Sequence, residues 1–284
     1  MTKKLQNNKV WLTIDTDDLN HHPSKYGHPK RTKNHTLKSF NTEPSSKLIT
    51  SMEKFREWFF QDPSKRSVTL FVIAEQLESK VFSKWLTKLL LDSKNESGEI
   101  LVGCHSYRHK CWSAWGEEHK NEFKEDLIMA CSKISSVVGD SWRPWFRAPG
   151  GYIAPWMAKV LNECNIELDT SINPVSLLIR KTGKSKNKKW NGWQNNFLSM
   201  QKEEIVEREW FTSKLLGIKI PCCGPALHLP FIRYLSNKAW SNLLNSYHLA
   251  TENQIIDLEE EVITLYWHLL DYSRNNGNWN PPFL

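Results

Sequence analysis

No stretch of this sequence approaches the roughly 18 consecutive apolar residues that a bilayer-crossing helix needs, so a membrane-spanning chain is not expected. The opening stretch MTKKLQNNKVWLTIDTDD has Lys3 and Lys4 but no long apolar segment behind them; its first apolar run is only Val10 to Ile14. A secretory leader is therefore not expected, and the chain reads as cytoplasmic. The six cysteines (Cys104, Cys111, Cys131, Cys164, Cys222, Cys223) lack the paired spacing of a zinc knuckle or a small disulfide-stapled domain. Reduced thiols follow from that. Also missing are an internal repeat, a linker that would cut the chain, and any nucleic-acid recognition motif. One domain over residues 1–284 is expected, with no nucleic-acid partner.

Two features are in excess. There are 14 tryptophans; Trp fills cores and also stacks on flat ligands such as sugar faces, and the core is the expected place for most of them. Much of the net charge of +7 sits in RKTGKSKNKKWNGW, a basic loop over residues 180–193. Such a loop is either a solvated surface or a contact for phosphate groups or an anionic membrane, which would place the protein peripherally at the inner membrane face. A long polar stretch, residues 20–46, holds His21, His22, His28 and His35 and reads as an inserted loop.

Strand-like and helix-like segments alternate. Asn8 to Ile14, the apolar run Ser67 to Ala74, EILVGCH, PWFRA, ELDTSI, GIKIPCC and EVITLYWH read as strands. Helical spacing of apolar residues marks Ser45 to Asp62, Val81 to Ser93, EFKEDLIMACSKISSVVG, APWMAKVLNECN and NKAWSNLLNSYHLA. This order implies an α/β fold with a mainly parallel sheet, open or closed into a barrel. In such folds the chemistry lies beyond the carboxyl ends of the strands.

Chemically capable residues cluster at those ends. Asp15-Thr16-Asp17-Asp18 follows the first strand, HSYRH (His105 to His109) the third and Arg147-Ala148-Pro149-Gly150-Gly151 the next; Asp169 comes later, and His268 ends the last strand. Two histidines and one carboxylate make a facial set with open positions, suited to a catalytic divalent ion. His105, His109 and one of Asp15 or Asp17 supply such a set. Alternation puts Asp15 and Asp17 on one face, so one can bind metal while the other acts as a base. Arg147 can pair with that base. His268 can protonate a leaving amine. Taken alone, the histidine pair would equally fit two surface side chains.

The ordered set TIDTDD, HSYRH, FRAPGGY and YWH resembles the polysaccharide deacetylases of the NodB-homology type (carbohydrate esterase family 4), in a divergent Asp-x-Asp form. The resemblance runs from Ile14 to His268. It implies a single distorted (β/α) barrel with fewer than eight repeats. It also implies a divalent metal, usually zinc, with cobalt, manganese, nickel or iron as alternatives. The implied reaction is removal of an N-acetyl or other N-acyl group from a sugar. By position, Asp15 matches the general base, Asp17 the metal ligand (Asp18 if the register differs by one), and His105 and His109 the other ligands. Arg147 matches the residue that orients the base, and His268 the general acid. Pro149, Gly150, Gly151, Tyr152 and His228 are expected to line the sugar site. The chain departs from the pattern in two ways. The glycine that often follows the first motif is absent, and the Asp-Trp element that tunes the acid histidine has no clear match beyond Asp169 or Glu209-Trp210. The implied partner is an N-acylated sugar, and a nucleotide-linked or lipid-linked glycan precursor suits a cytoplasmic chain with a basic loop. The same metal set also fits hydrolysis of a formamide or cyclic ureide, or an inactive carbohydrate-binding relative.

Overall fold

The computed structural model describes residues 8–33, 42–62, 66–96, 98–183 and 192–273. Strand β1 (Asn8–Asp15) is followed by helix α1 (Ser46–Gln61), β2 (Ser67–Val72), α2 (Lys80–Asn95) and β3 (Glu99–Cys104). Next come α3 (Trp112–Trp115), α4 (Lys120–Val138), β4 (Trp142–Phe146), α5 (Pro155–Glu163) and β5 (Leu168–Asp169). The second half holds α6 (Trp193–Lys202), β6 (Val206–Glu207), β7 (Thr212–Leu215), β8 (Ile218–Pro221) and α7 (Pro230–Leu244). The last elements are β9 (Tyr247–Leu249), α8 (Glu252–Ile256) and β10 (Val262–His268).

Local chemistry sets these bounds. The Ser45 hydroxyl accepts the Leu48 N–H and caps α1, and Ser79 accepts from Val81 and Phe82 at the start of α2. Gly139, at φ +55°, ends α4 with its N–H on the Ser135 carbonyl. Along α1, Leu48, Met52, Phe55, Trp58 and Phe59 are all buried. Each such side chain is worth about 1.5–3 kcal/mol against exposure.

Seven strands form a parallel sheet in the order β10-β1-β2-β3-β4-β5-β6, curled into a half-barrel with helices around it. One isolated parallel bridge, Trp210 to Thr264, spans the open edge, where the Phe211 N–H donates to the Thr264 carbonyl at 2.9 Å. The first and last strands are neighbours, and their register sets Asp15 opposite His268.

Alternation then sorts the side chains. Val10, Leu12 and Ile14 of β1, Val68, Leu70 and Val72 of β2, and Ile100, Val102 and Cys104 of β3 join the large core that also holds the helix side chains. Their sequence neighbours Trp11, Phe71, Leu101, Trp145, Leu168 and Val206 form a second, smaller cluster on the other face of the strands, inside the curl. Gly103 shares that inner set, and a Cβ there would come within 2.7 Å of the Phe71 ring. Continuing each inner set toward the carboxyl ends gives Asp15, His105 and Arg147.

The alternating α/β architecture expected from the sequence is present. GIKIPCC differs: its residues form β8, which pairs antiparallel with β7 in a separate two-stranded hairpin and not in the barrel. Alternating polarity in a surface hairpin looks the same as in a barrel strand. The helix expected at NKAWSNLLNSYHLA starts earlier, at Pro230, and gives way to β9 at Tyr247. Helix α6 and strands β6 and β7 add to the elements expected from the sequence.

Candidate active site

Asp17, His105 and His109 converge. One ligand-type atom from each lies within 4.8 Å of the others. Asp17 Oδ1 is 2.5 Å from His109 Nε2, and Oδ2 is 3.5 Å from His105 Nε2. The turn that makes this possible is sharp. Ser106 and His109 both sit at positive φ (64° and 57°), and the Ser106 hydroxyl accepts the His109 N–H at 2.9 Å. His105 Nδ1 donates to the Arg147 carbonyl at 2.7 Å, which leaves the Nε2 lone pair for a cation. Asp17 Oδ2, His105 Nε2 and His109 Nε2 are buried and make no hydrogen bond. Buried polar atoms left this way are costly, and a divalent ion satisfies all three at once. The donor set fits zinc or a similar ion. Burial opposes ionisation of Asp17, but the imidazoles of His109 and His105 hold its carboxyl well below the usual range.

Asp15 is buried beside this set, its Oδ2 3.6 Å from His105 Nε2. Its other oxygen accepts from Arg147 Nη1 at 2.8 Å. The Arg147 guanidinium is locked in the barrel interior. Nε donates to the Thr170 carbonyl and Nη2 to the Thr13 hydroxyl, and the rings of Phe71 and Tyr266 lie 4.3 and 4.6 Å from its carbon. A planar, always-charged group with this many fixed partners holds Asp15 in one orientation.

His268 faces the same space: one ligand-type atom each from Asp15, Asp17 and His268 also fall within 4.8 Å of one another. Its Nε2 lies 2.8 Å from the Tyr266 hydroxyl. The chain reverses just after it, so that Asp271 accepts the His268 N–H at 2.9 Å and sits 3.7 Å from Nδ1. Burial lowers the imidazole's proton affinity, but the Asp271 carboxylate outweighs this and raises it above the ordinary value. Asp271 also lies 3.0 Å from His228 Nε2. The side chains of Asp17 and His268 keep 16% and 14% of their surface exposed, while His105 and His109 keep 1% and 3%. The site is thus open to solvent on the side of Asp17 and His268.

The other expected residues divide. Asp18 does not join the histidines: its carboxylate takes the Leu19 N–H and both the N–H and hydroxyl of Ser45, which pins the start of the 20–46 loop. Asp169 does not reach His268; it accepts from the Ser171 hydroxyl and N–H and pairs with Glu207, burial raising both carboxyls. Glu209 is exposed and faces the charge of Lys219, while Trp210 donates to the Thr170 carbonyl and packs on Tyr266. Pro149, Gly151 and Tyr152 are packed away from solvent. Tyr152 packs its ring on His28 and accepts from Arg31 Nη1, so it anchors the inserted loop. The Gly150 carbonyl accepts from Lys181 Nζ at 2.7 Å. Of the basic loop, residues 184–191 lie outside the described residues, as do 34–41 of the inserted loop, including His35. Sequence reasoning missed Asp271, which only the chain reversal after β10 brings onto His268. His21 was also unassigned, and its ring lies 5.5 Å from that of His109.

The strand-end histidines and Arg147 lie in a segment with known relatives. Residues 64–168 match the family model for polysaccharide deacetylase. The deacetylase match runs from just before β2 to the first residue of β5, and so contains His105, His109 and Arg147. Asp15, Asp17, His268 and Asp271 lie outside it and are joined to it by geometry. The match points to a carbohydrate deacetylase, a hydrolase acting on N-acetyl groups. No curated protein matches the chain. Among solved structures, a protein assigned as a polysaccharide deacetylase from Mycobacterium smegmatis aligns at 12% identity and TM-score 0.48, over 93% of this chain and 77% of that one. A 4-alpha-glucanotransferase from Thermococcus litoralis aligns at 13% identity and TM-score 0.52, over 96% of this chain and 35% of that one. The second likeness, at 13% identity, speaks to the fold alone.

Proposed function

We propose that this protein is a metal-dependent N-deacetylase acting on an amino sugar of a nucleotide-linked or lipid-linked glycan precursor. The observation that carries this is the three-donor set Asp17, His105 and His109 with a fixed carboxylate on one side and a carboxylate-backed histidine on the other. A divalent cation held by that set, zinc above all, would polarise the acyl carbonyl and lower the pKa of a water. The remaining work belongs to the chain. Asp15, oriented by Arg147, accepts the proton of the attacking water. The water oxygen bonds to the acyl carbon, the C–N bond breaks, and His268 gives its proton to the departing nitrogen. Asp271 balances the imidazolium charge until then. Acetate and the free amino sugar are the products.

The test combines metal analysis with acetate release. Purified protein should hold or take up about one zinc or cobalt ion per chain, and His105→Ala with His109→Ala should abolish it. Acetate should be released from some member of a panel of free, nucleotide-linked and lipid-linked N-acetyl sugars. A wild-type protein that takes up no divalent ion, or that releases acid only from formamides or cyclic ureides, would overturn the reading.

A further inference from the structure

The chain has a stretch of unusual charge beyond the site. From Trp210 to Thr251, 42 residues contain no aspartate or glutamate, although 31 acids among 284 residues would place about four or five there. The same stretch carries Lys214, Lys219, Arg233 and Lys238. Glu209, just before it, is the acid whose charge meets Lys219.

This stretch also exposes apolar side chains. The β7–β8 hairpin is exposed from Lys214 through Lys219. At its tip Leu216 is 95% exposed and Ile218 61%. Helix α7 packs against both hairpin strands, and its first turns present Phe231 (63% exposed) and Tyr234 (67%) beside Arg233. An aliphatic tip bracketed by lysines, on a hairpin packed against the helix that bears an exposed aromatic pair, in a stretch with no carboxylate of its own, is the composition of a segment that lies in a lipid interface. The apolar tips enter the acyl boundary, the ammonium groups reach anionic headgroups, and the one neighbouring carboxylate, Glu209, is met by Lys219. A second copy of the chain is a poorer occupant, because it would set these cations against their own kind.

The hairpin is tied to the site. Its first strand starts just after the Phe211 N–H that donates to the Thr264 carbonyl, and Cys223 Sγ returns to the Phe211 carbonyl. Five residues later His228 meets Asp271, the partner of His268. We infer that the β7–β8 hairpin and the first turns of α7 form a docking surface for an anionic lipid membrane, joined to the candidate active site through Phe211 and His228. This surface goes beyond the deacetylation reading and is tested without substrate.

The experiment is co-sedimentation of the full chain with vesicles of phosphatidylcholine alone and of phosphatidylcholine with about a third phosphatidylglycerol. Wild type should bind the anionic vesicles at least tenfold more tightly than the neutral ones. Leu216→Asp with Ile218→Asp should weaken that binding at least tenfold while metal content and far-ultraviolet circular dichroism stay unchanged. If that variant does not fold, Phe231→Ser with Tyr234→Ser on α7 takes its place. Absence of wild-type binding, equal binding to both vesicles, or unchanged binding by a folded variant overturns the inference. So does light scattering that shows a dimer lost in the variant without vesicle binding, which would make the patch a contact between copies.

Discussion

At Asp15 and Asp17 two carboxylates two residues apart have different partners, and the proposed tasks follow from them. Asp17 meets two imidazoles, while Asp15 is held by a guanidinium and has one imidazole 3.6 Å away. Asp15→Asn should therefore keep the metal and lose roughly 10²–10⁴ in kcat, the usual worth of a general base; near wild-type turnover with metal still bound would remove Asp15 from that role. Asp271→Asn takes away the charge that raises His268. A donor histidine acts while protonated, so activity falls as pH rises through its pKa. With that pKa lowered in the variant, the alkaline limb of the kcat profile should move to lower pH. A limb at its wild-type position would mean that Asp271 serves packing only. The strand-end residues were legible in the sequence because strand parity places every second residue together, and LTID, LVGCH and LYWH each end on the inner set. Asp271 was not legible, since nothing in LLDYS announces a chain reversal that brings a carboxylate back onto the histidine three positions earlier.

Single elements hold these groups in place. Helix α4 supports the HSYRH turn through Asp126, whose Oδ2 accepts the Tyr107 N–H at 3.0 Å. Burial pushes the Asp126 carboxyl up to about 6. Its folded value thus exceeds that of an unfolded aspartate, about 3.9. The folded state holds the proton more tightly, so this group's stabilising contribution is full below about 4 and is lost as pH rises through about 6. Asp126→Asn should gain stability relative to wild type across that window, read as urea midpoints from pH 4 to 8; a difference that does not change with pH would refute the assignment. Gly224 opens the turn that leads to His228, at φ +57°, and a Cβ there would strike the Tyr266 ring. Gly224→Ala should cost about 2 kcal/mol through strain and overpacking. It should also lower kcat, because Tyr266 carries the hydroxyl at His268. The hairpin lies at the limit of sequence reading. Its alternation was visible, but alternation does not say whether a strand's partners are barrel strands or its own neighbour.

On the scale of the whole molecule, the half-barrel depends on what spans its open edge. Beside the Trp210–Thr264 bridge, the Arg208 side chain donates to the carbonyls of Gln254, Ile255, Asp257 and Glu260. This ties the end of β6 to the segment that leads into β10. Arg208→Ala would leave several carbonyls without a donor and should cost about 3 kcal/mol, a fall in Tm of roughly 6–12 °C for a domain of this size. A shift within error would place the closure in the backbone bridge alone. The α/β class was legible from alternation of element types. Closure was not, because it rests on Arg208 and Trp210 in a stretch with only a two-residue strand.

The adjacency of β1 and β10 has a consequence in time. On the ribosome, β1 emerges well before the strand bearing His268. The proposed cation donors Asp17, His105 and His109 are all out once residue 109 is, whereas the proposed proton donor His268 arrives only when β10 slides in beside β1. A nascent chain that has reached Arg147, whose carbonyl orients His105, would thus be able to hold a cation before it could cleave anything, and the proposed hydrolysis would switch on as folding ends.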